Sequence, residues 1–178
     1  MTSNVAIPSD QPPTLADCTS PGLLVPELAG RDVTTVIQEL SAVLARDARV
    51  PDRLAFVAAV LKRETQASSE MESGLAFPHA RLAGLKSLSF AFGRSRQPLA
   101  WQSGGAPSVS LIFLLAVPAD DLAPHLRLIS GLSRLSRETR LMKRLRSLPD
   151  PGQIFDLFKQ VPLAAATGSA SSAKPILI

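Results

Sequence analysis

The chain's best prospects for chemistry are two imidazoles: His79 and His125 are its only histidines, and it has no tyrosine. A neutral imidazole keeps a free lone pair near pH 7, so it can attack an electrophile without a separate base. His79 follows the short apolar run Gly74 to Phe77 and then Pro78, where an irregular turn would expose its ring. His125 falls in the first turns of a helix expected to leave the C-terminal end of the most apolar strand. Ligand sites in α/β sheets gather at such strand ends, so both rings could line one cleft. An ordinary surface or hydrogen-bonded histidine is the simpler alternative at either position, and spacing alone does not choose between the two.

Other chemistries have less behind them. The histidines have no nearby acidic pair at metal-ligand spacing, which argues against zinc. Cys18 is the single cysteine, so an internal disulfide and a cysteine metal cage are both excluded. The sequence contains no G-x-S-x-G turn, Walker loop or G-x-G-x-x-G fingerprint. Ser68 and Ser69 lie in the polar stretch ETQASSEMES and read as solvated.

The elements that must position the histidines follow from periodicity. Val33, Val36, Ile37, Leu40, Val43 and Leu44 recur at helical spacing behind Asp32, a suitable N-cap. A second helix is expected from near Pro51, burying Leu54, Val57 and Leu61. Leu88 to Gly93 alternates as a strand, and Val109 to Val117 is a continuous apolar run suited to a strand buried on both faces. Pro118 and Asp120–Asp121 end that run and open a helix on which Leu122, Leu126 and Ile129 share a stripe widened by Leu128, Leu132 and Leu135. Shorter helices are expected near Glu138 to Ser147 and Pro151 to Gln160. LLVPEL, containing Pro26, suits an edge strand. The pattern predicts a single α/β domain, with a central sheet covered by helices on both faces. It spans residues 21–162, between a disordered tail at 1–20 and a flexible tail at 163–178.

Apolar residues make up 46% of the 178-residue chain, enough for one proper interior. The run Ser110 to Val117 is too short to cross a bilayer, and no signal-like segment opens the chain, so a cytoplasmic protein without membrane insertion is expected. The net charge of +4 is concentrated. Arg127, Arg134, Arg137, Arg140, Lys143, Arg144 and Arg146 have only Glu138 among them. This is either a solvated helix face or a surface for an acidic partner, an anionic membrane or nucleic acid. No aromatic residue is interleaved, which argues against single-stranded nucleic acid.

Five segments carry a family resemblance. R-E-x-x-x-S-S from Arg63 and G-L-A-F-P-H-A-R from Gly74 to Arg81 resemble the phosphorylation-site region of enzyme IIA domains of the bacterial sugar phosphotransferase system. The class is the fructose–mannitol one, which includes nitrogen-regulatory enzyme IIA proteins. SLIFLLAVP, HLRLISGLSRL and DPGQIFDLFKQ are similar to that family's buried strand, second-histidine helix and final helix. The resemblance implies a mixed, mainly five-stranded sheet. It implies His79 as phosphoryl acceptor, His125 as second active-site histidine and Arg63 as the arginine of the R-E pair. The implied activity is that of a phosphohistidine phosphotransferase needing no metal, nucleotide or other cofactor. Its donor would be an HPr-type phosphocarrier protein, and a permease domain or a regulatory protein would be the acceptor or target. Having no permease segment, the sequence fits a nitrogen-type regulator better than a dedicated transport component.

The sequence departs from the family pattern S-T-G-I-G, because Glu70 and Glu72 stand where glycines are usual and Ser69 replaces threonine. A carboxylate about 6 Å from a phosphoryl group would cost roughly 3 kcal/mol at an effective dielectric near 20. A degenerate enzyme IIA fold that binds protein partners without being phosphorylated is therefore the second functional expectation.

Overall fold

The computed structural model describes residues 12–163. Its strands and helices follow in the order β1 (Leu24–Val25), α1 (Val33–Arg46), α2 (Arg53–Gln66), β2 (Glu70–Met71), β3 (Leu75–Ala76), β4 (His79–Leu82), β5 (Ser89–Leu99), β6 (Val109–Pro118), α3 (Ala123–Arg137), α4 (Thr139–Leu145) and α5 (Pro151–Phe158).

One mixed sheet of six strands organises the chain. β6 is its centre: β5 lies antiparallel on one side, and β3 and β4 lie parallel on the other. β1 forms one edge, parallel to β5, and β2 extends the other edge antiparallel to β3. β3 and β4 are two pieces of one lane, since Leu75↔Leu111 and His79↔Leu115 keep the same register. Pro78 interrupts the lane because it has no N–H to donate. Its carbonyl still accepts from the Leu115 N–H at 2.9 Å, so the register survives the break. Five lanes thus hold six strands, as the expected mainly five-stranded sheet requires.

Alternation along the sheet divides two cores. Phe77, Phe90, Phe92, Phe113 and Leu115 face α3, α4 and α5, where they join Leu128, Leu132, Ile154 and Phe158. Ala76, Ala80, Ala91, Ile112 and Leu114 face the other way, toward Ile37, Leu40 and Leu44 of α1 and Phe56 and Val60 of α2. β6 is buried on both faces, which explains its unbroken apolar run. Asp32 caps α1 by accepting from the Thr35 N–H at 2.9 Å, and Asp150 caps α5 by accepting from Gln153 at 3.0 Å.

Three sequence expectations need correction. α2 starts at Arg53 under an Asp52 cap, so its fully buried residues are Phe56 and Val60; Val57 and Leu61 pack partly buried against the same core as expected, while Leu54 is 75% exposed. On α3 the inward stripe is His125, Leu128, Leu132 and Leu135, leaving Leu122 and Leu126 exposed at 46% and 59%. Residues 12–20 are no tail. Leu15 and Cys18 sit in a 3-10 turn packed into the α3–α5 core, and the Leu15 N–H donates to the Val161 carbonyl. At the other end Leu163 is buried and its N–H donates to Pro13; the rest of the expected tails, 1–11 and 164–178, lies outside the described residues.

Candidate active site

His79 opens β4, and strand alternation aims it at the α3 face together with Phe77 and Arg81, while Ala80 points into the opposite core. α3 leaves the C-terminal end of β6 beside this lane, and its first turns carry His125. The two rings meet with centroids 5.2 Å apart and planes inclined by 50°. The two rings that the strand-end argument placed at one end of the sheet are therefore neighbours.

The two imidazoles have different surroundings. The Nδ1 of His79 lies 2.9 Å from the Phe77 carbonyl oxygen. A carbonyl can only accept, so Nδ1 carries the proton and Nε2 keeps the lone pair. His79 is half-buried, and its ring is held through Nδ1. His125 is buried, 6% exposed, and neither of its ring nitrogens has a hydrogen-bond partner among the described residues. Burial pushes its pKa down to about 4, helped by His79 and by the positive charge of Arg81. It is thus a neutral ring near pH 7, holding one N–H that has no partner among the described residues.

Arg63 does not join the histidines directly. It closes α2, and its guanidinium donates to the Ala67 carbonyl at 2.9 Å, a helix-end role that suits a cation. α2 itself packs against β4, so Arg63 lies on the element next to the His79 strand.

Its neighbour Glu64 does more than the sequence suggested. One carboxylate oxygen, Oε1, accepts from the Ser69 N–H at 2.7 Å and from the Trp101 indole at 2.8 Å. It ties α2 to the start of the loop leading to His79. That loop, read in the sequence as solvated, is a short hairpin in which β2 pairs with β3 and the Phe77 N–H donates to Ser69. Its turn needs positive φ at Ser73 (70°) and Gly74 (76°). Gly74 is sterically required as well, because a Cβ there would stand 2.8 Å from the Ser108 carbonyl. Arg146 braces the same turn, donating to the Ser73 carbonyl and to Ser110 Oγ.

The two glutamates in glycine positions are directed elsewhere. Glu70 accepts from the Ser108 hydroxyl, just before β6 begins, and Glu72 is exposed in the hairpin turn. Glu70 pairs with Ala76, three residues before His79 in the lane of β3 and β4, so about 10 Å of strand separates the two positions at the usual rise, and the carboxylate is directed further away, toward the start of β6. At about 10 Å or more the interaction is roughly 1.7 kcal/mol or less at an effective dielectric near 20, before salt screening reduces it further.

Comparison with known proteins places this arrangement in a family. Residues 19–161 match the family described as phosphoenolpyruvate-dependent sugar phosphotransferase system, EIIA 2. A nitrogen regulatory protein of Bradyrhizobium diazoefficiens is 29% identical over 152 residues, covering 85% of this chain and 99% of that protein. The fructose-specific EIIABC component of Bacillus subtilis is 30% identical over 133 residues, 75% of this chain but 21% of that protein's length. Among solved structures, the nitrogen regulatory protein IIA-Ntr from Neisseria meningitidis superposes with a TM-score of 0.69 at 24% identity, covering 81% of this chain and 98% of its own. The fold and the sequence match agree across nearly the whole described domain: the chain belongs to the EIIA type 2 family of the phosphoenolpyruvate-dependent sugar phosphotransferase system.

Proposed function

We propose that the protein is a phosphocarrier that accepts a phosphoryl group on Nε2 of His79 from the phosphohistidine of an HPr-type protein. It then passes the group to a permease-type domain or uses it to switch a regulatory partner. The observation that carries this reading is the hydrogen bond from His79 Nδ1 to the Phe77 carbonyl, which leaves Nε2 as the nucleophile.

The transfer balances without metal or cofactor. The Nε2 lone pair forms the new N–P bond while the donor's N–P bond breaks and its electron pair stays on the donor nitrogen. A donor ring protonated on its other nitrogen leaves as neutral imidazole. His79 takes up the positive charge, stabilised by the Nδ1–H bond to Phe77. Such a transfer depends mainly on alignment and on neutralising the equatorial oxygens. His125, whose ring lies 5.2 Å from that of His79 and whose nitrogens have no partner among the described residues, would donate its N–H to them, and Arg81 would supply positive charge from the same strand. Arg63 would contribute only by exchanging its Ala67 carbonyl for phosphate.

Leu122 and Leu126, exposed beside His125, form an apolar rim suited to a protein partner. The orientation of Glu70 toward Ser108 favours this reading over a partner-binding module that is never phosphorylated. Intact mass after incubation with phosphoenolpyruvate, enzyme I and HPr tests it. One added, acid-labile phosphoryl group on the wild type and none on His79→Ala is expected. An unchanged mass with the cognate HPr would leave the non-phosphorylated module.

A further inference from the structure

Three arginines line one cleft away from the histidines, at the end of the sheet where β6 begins. Arg94 pairs with Leu111 on β6, near the strand's start, whereas His79 pairs with Leu115 near its end. There Pro26, Glu27, Arg94, Ser95, Arg96 and Arg146 line a cleft of about 280 Å³. The cleft joins the loop after β1, the middle of β5 and the C-terminal end of α4.

Local needs use only part of its hydrogen-bonding capacity. Arg94 NH1 donates to the carbonyls of Leu145 and Leu148, at 3.1 and 2.9 Å, and so caps α4. Its NH2 and Nε have no partner among the described residues. Arg96 NH2 pairs with Glu27 at 2.8 Å, leaving its own Nε and NH1 likewise unpartnered there. Ser95 Oγ is committed to the Gln97 carbonyl at 2.7 Å. Arg146, the last residue of the basic stretch noted in the sequence, is exposed like Arg140, Lys143 and Arg144 but is tied to the sheet, donating to Ser110 Oγ and to the Ser73 carbonyl while it lines the cleft. Three positive charges therefore face one carboxylate. Burial pulls the Arg94 pKa down, and the nearby Glu27 carboxylate offsets part of that. Planar guanidinium forks match the oxygens of a tetrahedral anion in pairs.

We propose that this cleft is a binding site for a small phosphate-type anion, held by Arg94, Arg96 and Arg146 and distinct from the histidine pair. Glu27 is its gate: the anion competes with that carboxylate for Arg96. Arg146 also holds the hairpin that leads to His79, so the site shares a residue with the loop that positions the imidazole.

The test is a titration of the ¹⁵N-labelled chain with inorganic phosphate and, separately, with glycerol 3-phosphate, against sodium chloride at equal ionic strength. Saturable shifts of the amides of residues 26–27 and 94–96 and of the arginine Nε–H signals are expected. Tighter binding of the ester assigns the site to phosphomonoesters, and equal binding assigns it to free phosphate. Arg96→Gln, on an exposed side chain, should weaken binding by about tenfold. Glu27→Gln should strengthen it by a few-fold. Shifts confined to residues around His79 and His125, shifts reproduced by chloride, or affinity unchanged in both variants would overturn the proposal.

Discussion

Acidification provides a quantitative test of the His125 environment. The ring is 6% exposed, and burial, then His79 and Arg81, hold its pKa at about 4. A histidine in an unfolded chain titrates near 6.5. Between those values the unfolded state binds a proton that the native state refuses. Stability therefore falls as the pH drops through this window and is regained as it rises. Integrating the two titrations from pH 7 to pH 5 gives a loss of about 2 kcal/mol from this one group. Urea unfolding at pH 7, 6 and 5, run on the wild type and on His125→Gln, isolates it. Glutamine does not titrate, and the remaining groups are common to both proteins. The wild type should lose about 2 kcal/mol more than the variant across the range. Parallel pH profiles would show that the ring is solvated or paired in solution, and would refute its role as an unused neutral donor.

Three further predictions follow from the loop and the rim. Glu64→Ala strands the Ser69 N–H and the Trp101 indole. It should cost about 2 kcal/mol in a thermal or urea melt and slow phosphorylation, with a change in Trp101 fluorescence. Glu70→Gly restores the residue usual in the family and should change the equilibrium extent of phosphorylation less than about fivefold, read by intact mass against HPr; a change of a hundredfold would mean that the carboxylate reaches the site. Leu126→Asp alters a side chain that is 59% exposed, so stability should move by roughly 0.5 kcal/mol or less. The same change should slow phosphoryl acceptance from the donor protein while sparing hydrolysis of the phosphorylated form.

The regular elements were legible because their patterns have one interpretation. α1 showed both an apolar stripe and an Asp32 cap, and β6 was a run that only burial on two faces explains. The errors arose where a pattern fits two phases. Leu54 and Phe56 both lie near the start of α2, and only the Asp52 cap fixes which one turns inward. Leu122 and Leu126 repeat at helical spacing as a core stripe would, yet they border the histidine site and stay exposed. Leu15 and Cys18 were missed because a four-residue 3-10 turn has no period to detect. Their burial also pushes the Cys18 thiol up to about 11, which leaves it as core rather than as a reactive group. At the site, sequence named both histidines, and the structure brings them together. It could not show the Glu64 bridge or the turning of Glu70 to Ser108, since both depend on residues more than thirty positions away.

The central claim concerns one atom, and NMR of the phosphorylated protein addresses it directly. With ¹⁵N-labelled histidine, long-range proton–nitrogen spectra distinguish Nδ1 from Nε2 phosphorylation by the pattern of couplings to the ring protons. Phosphorylation at Nε2 of His79, with its Nδ1 still protonated, is predicted. Phosphate on His79 Nδ1 or on His125 would contradict the account, because it would require the Phe77 carbonyl bond to break or the buried ring to act as the nucleophile.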